Sequence, residues 1–260
     1  MIRVLAKAVL DDGTAYEADL ARPISLALPL RPDDSSVRAW GVDPVRVAPV
    51  RRGEWVGRVR EGAPVNFSDV TINPHGNGTH TETVGHIAAD WEANTVLGLL
   101  SPGLFVGILH DATLNVAADG GRVVDLSGLR QNPPPRGVTG LIVRACGPGA
   151  DDADFSGGDP PYFDAADLAW LAEIGVEHLV TDLPSVDRER DGGALAGHHA
   201  YWRYPDRPRR CATITELARL NQPLAPGLYL IGLHALPLAA DASPSHPVVY
   251  ELTPSNPSPE

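Results

Sequence analysis

Gly140-Leu141-Ile142-Val143-Arg144-Ala145-Cys146 is a nearly continuous apolar run of strand length, and its reading decides the fold. A run without alternation suits a strand covered on both faces. A helix is signalled next, with Asp164 as N-cap, Leu168, Leu171 and Ala172 on one face, and Gly175 just past the end. Residues 176–183 are a second apolar run, so 140–183 read as strand, helix, strand with parallel pairing. Ligands gather beyond the carboxyl ends of such strands, which directs attention to Asp182-Leu183-Pro184-Ser185-Val186-Asp187.

Outward from this unit, residues 24–30 read as an apolar strand ending at Pro29, and residues 65–72 alternate enough to form another. Thr213-Ile214-Thr215-Glu216 has capping-box spacing ahead of Leu217 and Leu220 and predicts a short helix, while residues 227–238 predict a late strand. The 26 glycines and 25 prolines are spread along the chain, which favours many short elements and argues against a helical bundle. No internal repeat or composition break marks a boundary. The expected organisation is one α/β, mixed-sheet domain over residues 1–252. Residues 253–260 form a polar, proline-rich tail, or an arm laid on a neighbouring subunit.

Composition narrows the class. With 43% hydrophobic and 21% charged residues and no apolar run of bilayer length, the chain reads as soluble, without a membrane partner. The formal net charge of -12, with a single short basic cluster at 203–210 broken by prolines and Asp206, argues against a nucleic-acid partner. The first sixteen residues make a poor signal peptide. Cys146 and Cys211 are far apart and lack metal-ligand spacing, so a cytoplasmic setting is expected.

The densest chemical signal is Asn73-Pro74-His75-Gly76-Asn77-Gly78-Thr79-His80-Thr81-Glu82-Thr83-Val84-Gly85-His86. Imidazole and carboxylate are ligands that zinc, manganese and iron accept. If residues 79–83 are extended, His80 and Glu82 project from one side of the backbone. His86 keeps their parity, although Gly85 leaves a regular strand open, and the glycines beside His75 leave its direction unreadable. A histidine-rich surface loop is the bland alternative. His198, His199 and Glu216 form a second cluster. Glu216 also has a purely structural reading as a helix cap, and only one of the adjacent histidines is expected to face a site.

Gly78-Thr79-His80-Thr81-Glu82-Thr83-Val84-Gly85-His86 resembles the G-T-H onward portion of the pattern H-x-G-T-H-x-D-x-x-x-H. That pattern belongs to the cyclase family of metal-dependent hydrolases, which includes bacterial kynurenine formamidase and isatin hydrolase. The resemblance extends to the loop 182–187, His198, Glu216, and the segments 236–238 and 241–244. It implies a single mixed-sheet α/β domain of the cyclase, swivelling β/β/α-like type, one or two divalent ions, Zn or Mn, and a homodimer or higher homo-oligomer. The ligands implied are His80, Glu82, His198 and Glu216, with His75 standing in for the family histidine that falls here on Gly76. The catalytic histidines implied are His86 and His198. The family aspartate is Glu82 here, whose extra methylene moves its carboxylate outward by about 1.5 Å. The activity implied is attack of metal-activated water on an amide, formamide or lactam carbonyl of a small molecule. Trp40, Phe67 and Trp202 are candidates for an aromatic-lined substrate pocket, or for core.

Three rivals compete with this reading. Ser185, Asp187 and His198 or His199 could be assembled into a serine triad, but no G-x-S-x-G elbow is present. Cys146 lacks a neighbouring cation to activate it. A non-catalytic small-molecule binder that keeps the fold is the alternative from a different class.

Overall fold

The run at 140–146 is apolar because both of its faces are covered. Leu141 and Val143 enter one buried cluster with Leu168, Leu171, Tyr201 and Trp202, while Ile142 enters a second with Leu26, Leu109, Val180, Ile231 and Val249. The computed structural model describes residues 4–99, 103–146 and 151–255. In chain order the main sheet comprises β1 (Ile24–Ser25), β2 (His80–Glu82), β3 (Leu104–Asp111), β4 (Gly140–Arg144), β5 (His178–Thr181), β6 (Thr213–Glu216), β7 (Gly227–Ala235) and β8 (Ala242–Glu251). The spatial order of these eight strands is β7-β3-β4-β5-β6-β2-β8-β1, and β7 also pairs with β8. Seven of the eight therefore close into a barrel-like ring, with β1 added along β8.

The four strands β3, β4, β5 and β6 run parallel and the remaining pairs are antiparallel. Helices α2 (Ala165–Glu173) and α3 (Ala196–Trp202) follow β4 and β5 and cover the outer face, and α1 (Ser127–Gln131) precedes β4. Asp164 caps α2 as its spacing predicts, its Oδ1 accepting the Ala166 N–H at 2.7 Å. The parallel pairing of β4 with β5 is also as predicted.

Other expectations change. Of residues 24–30 only Ile24–Ser25 pairs as strand, because Leu28 gives its N–H to the Thr79 hydroxyl instead of a ladder partner. Of 65–72 only Ser68–Thr71 pairs, in a surface ribbon with Arg46–Pro49. The 213–216 stretch is strand β6, not a helix. Its threonines alternate with Ile214 and Glu216 at period 2, and it lies buried between β5 and β2 with the Thr215 hydroxyl 2.8 Å from that of Thr81. Buried β-branched residues fit this pleated position better than a helix turn. The expected tail begins with Thr253–Pro254 paired to Ala15–Asp19, ordered by main-chain bonding in place of apolar burial, and 256–260 lie outside the described residues. Among the described residues no helix is long and apolar enough to cross a membrane.

The ring interior contains a titratable group. The His178 imidazole stacks on Phe105, with centroids 4.1 Å apart, and its Nδ1 lies 3.0 Å from the Thr213 hydroxyl. Burial, with Arg209 adding, pushes its pKa down to about 4. The folded chain thus favours neutral His178, so this contribution to stability is complete above about pH 6.5 and is lost as pH falls toward about 4. His178→Phe keeps the stack and removes the proton site. Between about pH 7 and 4.5, wild type is expected to lose about 2 kcal/mol more stability than the variant. Urea unfolding at the two pH values measures this, and equal losses would contradict it.

Candidate metal centre

Strand β2 aims His80 and Glu82 at the helix-covered face of the sheet, because alternate side chains share a face. Strand β6 pairs with it antiparallel, with Glu216 opposite His80 and Ile214 opposite Glu82. Glu216 therefore enters the same face directly beside His80. The opposite face receives Thr81, Thr215 and Ser245, joined through hydroxyls at 2.8 and 2.9 Å. His198 arrives from α3. All four groups are buried, with exposures of 1 to 3%.

One ring nitrogen of each histidine is held from outside, and the other faces the two carboxylates. His80 Nδ1 is 2.9 Å from the Gly78 carbonyl, and its Nε2 lies 3.4 Å from Glu82 Oε1 and 3.5 Å from Glu216 Oε2. His198 Nδ1 is 2.6 Å from Asp187 Oδ2, and its Nε2 lies 3.7 Å from Glu82 Oε2 and 3.9 Å from Glu216 Oε1. Each glutamate thus offers one oxygen toward His80 and the other toward His198. His80 Nε2, His198 Nε2 and Glu82 Oε2 are buried without a hydrogen-bond partner. Buried polar atoms are rarely left so, and converging imidazole and carboxylate atoms are the donor set of a divalent cation. The residues present fit such an ion.

The electrostatics point the same way. Burial opposes charge on His80 and His198, yet the neighbouring carboxylates, Glu216 and Glu82 for His80 and Asp187 and Glu82 for His198, push both up to about 10. Burial raises Glu216 to about 7, with the Glu82 charge adding. For Glu82 the raising effect of burial is overcome by His86, His198 and His80, which hold it well below the ordinary carboxylate range. The pocket attracts positive charge.

His86 reaches the site differently from its parity-based expectation. A 3₁₀ turn, Val84–His86, replaces continued strand, with the Thr83 hydroxyl accepting the Gly85 N–H at 3.1 Å. A Cβ on Gly85 would lie 2.3 Å from the Asn94 carbonyl oxygen, so only glycine fits this turn. His86 Nε2 lies 3.7 Å from Glu82 Oε2. His75 also faces the site, its Nδ1 4.0 Å from Glu82 Oε1.

The loop beyond β5 carries the support. Asp187 accepts the main-chain N–H groups of Gly197 and His198 at 2.6 and 3.1 Å, and the Val186 N–H donates to Glu216 Oε1 at 2.8 Å. His199 turns away to the Tyr204 carbonyl. The serine triad does not assemble, because Asp187 holds the His198 ring while its Nε2 has no hydrogen-bond partner. Burial raises the Cys146 thiol far above its ordinary value, which removes it as a nucleophile. Asp241, absent from the sequence-derived site, lies 3.0 Å from His75 Nε2 and 3.1 Å from His86 Nδ1. Its one signal in sequence is its place in the 241–244 segment.

Of the aromatic candidates, Trp40 lines a cavity of about 350 Å³ with His75, Glu82, His86, His198 and Glu216. Trp202 is fully buried core, its ring 5.3 Å from that of His198, one helix turn away, so it backs the ligand and does not line the cavity. Phe67 is 51% exposed on the surface ribbon beside Trp55 and likewise does not line the cavity. A second cavity of about 390 Å³ opens on the Thr81 face near Phe105, His178 and Leu233. Among the described residues no carboxylate lines it, and the histidine and glutamate cluster faces the first.

A closed mixed barrel with a buried histidine and glutamate cluster beside α3, a donor set able to hold a divalent cation, defines the class of molecule. The family model described as "Putative cyclase" matches residues 18–188, and the chain belongs to this cyclase family. Kynurenine formamidase of Bordetella avium is 29% identical over 243 residues, 90% of this chain and 97% of that protein. Kynurenine formamidase of Bordetella pertussis is 26% identical over 239 residues, with the same shares covered. Among solved structures, a "predicted metal-dependent hydrolase" from Bacillus stearothermophilus superposes with a TM-score of 0.60 at 13% identity, covering 88% of this chain and 98% of that one. Isatin hydrolase A from Labrenzia aggregata gives 0.57 at 14% identity, covering 88% and 93%. These structures share the mixed-sheet α/β fold.

His80→Ala and Glu82→Ala, each purified without an affinity tag, are expected to retain less than about a tenth of wild-type bound metal by elemental analysis. Full occupancy in both would defeat the ligand assignment.

Proposed function

We propose that the chain is a metal-dependent amidohydrolase acting on an amide, formamide or lactam carbonyl of a small, flat molecule. The convergence of unpartnered buried imidazole and carboxylate atoms supports this most directly. Kinship with proteins named kynurenine formamidase supports the bond type. His80, Glu82, His198 and Glu216 would hold one or two zinc or manganese ions, with His75 at the rim. A bound divalent ion would lower the pKa of water and stabilise negative charge developing on a carbonyl oxygen.

The chain's own residues handle the rest. His86 is half-buried at the cavity, with Nδ1 on Asp241 and Nε2 turned inward, so its inner nitrogen is free to move a proton. In the reaction the water oxygen bonds to the carbonyl carbon and the carbon–nitrogen bond breaks. His86 accepts the proton that water gives up and returns one to the leaving nitrogen. His198, pinned by Asp187, keeps its inner nitrogen aimed at the carboxylates and serves in binding the ion more than in moving protons. Trp40 forms a flat apolar wall at the mouth.

The setting proposed is the cytoplasm, in keeping with two free cysteines, and the assembly a homodimer or higher homo-oligomer. The 46–71 ribbon exposes Trp55, Phe67 and Val70 and carries five arginines against three acids on a chain of net charge -12, a surface suited to a second copy of the same acidic chain.

Aryl formamides, lactams and lactones assayed with and without chelator test the activity. Hydrolysis of a formamide or lactam that chelator abolishes and Zn²⁺ or Mn²⁺ restores is expected. His86→Gln is expected to lower kcat by about 10²- to 10⁴-fold with metal content retained. Ligand binding without turnover would overturn the reading in favour of a non-catalytic binder.

A further inference from the structure

Position 76 admits no side chain. A Cβ there would lie 2.6 Å from Val42 Cγ2 and 2.8 Å from the Ala39 carbonyl oxygen, so the wall formed by residues 39–42 closes it. The turn is fixed on both sides, because the Gly76 N–H donates to Asn73 Oδ1 at 3.1 Å and its carbonyl accepts the Ala39 N–H at 3.0 Å. The neighbouring His75 is the residue that enters the site. Its ring lies edge-on to His80, with centroids 5.3 Å apart, and 4.5 Å from His86.

A single oxygen organises the two outer rings. Asp241 Oδ2 is 3.0 Å from His75 Nε2 and 3.1 Å from His86 Nδ1. With those nitrogens engaged, the remaining nitrogen of each ring faces Glu82, His75 Nδ1 at 4.0 Å and His86 Nε2 at 3.7 Å. The attachment of the Asp241 segment does not need this side chain. Its main-chain carbonyl separately accepts the Thr83 N–H at 3.0 Å and the Thr83 hydroxyl at 3.2 Å.

We propose that Asp241 is a positioning residue that orients His75 as a further cation ligand beside Glu82 and holds the inner nitrogen of His86 ready for proton transfer, position 75 serving because the wall at 39–42 closes position 76. A carboxylate that accepts a proton from one imidazole nitrogen fixes the tautomer and leaves the other nitrogen's lone pair available and more basic. The inference rests on the metal reading above, and the test separates the two.

Metal-free wild type, Asp241→Asn, Asp241→Glu and His75→Ala are titrated with Zn²⁺ against a chromophoric chelator, and the melting temperature of each metal-free protein is recorded. Asp241→Asn and His75→Ala are each expected to weaken zinc binding by about 10- to 100-fold in metal-free protein that still melts cooperatively. Their combination is expected to weaken it by less than the product of the two, and Asp241→Glu to recover part of the loss. Undiminished zinc affinity in both Asp241→Asn and His75→Ala, with wild type binding zinc, overturns the positioning role alone. Wild type that takes up no zinc overturns the metal reading and this inference together.

Discussion

Glu82 and Glu216 are buried side by side, and two like charges out of water are stable only if positive charge meets them. That constraint organises the molecule around β2 and β6. The antiparallel register between these strands puts Glu216 opposite His80, so both carboxylates and one imidazole share a face before any other element contributes. Helix α3 then supplies His198, and the 3₁₀ turn after β2 supplies His86.

The outer anchors convert proximity into direction. Gly78, Asp187 and Asp241 each engage the far nitrogen of a ring, so the inner nitrogens of His80, His198, His86 and His75 converge on Glu82. Histidines without such partners would rotate to find their own. The barrel matters here because closure fixes the order β5-β6-β2-β8, bringing the loop that carries Asp187 next to β6 and the start of β8 next to Glu82. A cluster with this charge pattern is stable as a whole only when a cation, or protons in its place, completes it.

The same sheet explains why one face gathers ionisable groups and the other hydroxyls. Thr81, Thr213 and Thr215 alternate with His80, Glu82, Ile214 and Glu216, and their hydroxyls satisfy one another or His178. The cavity on that side is larger, yet its described lining offers nothing that binds a cation with charge of opposite sign.

Sequence alone determined what local spacing controls. The two-residue period places His80 and Glu82 together, and the apolar runs at 140–146 and 176–183 specify a parallel pair with α2 between them. Each follows from interactions among near neighbours. Tertiary structure decided the rest. Thr213 to Glu216 satisfy a helix-cap spacing and a strand alternation equally well, and only pairing with β2 and β5 selects the strand. Trp202 and Phe67 resemble Trp40 in composition but differ in burial, which no spacing encodes. Asp241 joins His75 and His86 across more than 150 residues of chain, because β8 pairs with β2. Strand pairing between distant segments is set by the closure of the whole sheet, and local propensity carries no information about it.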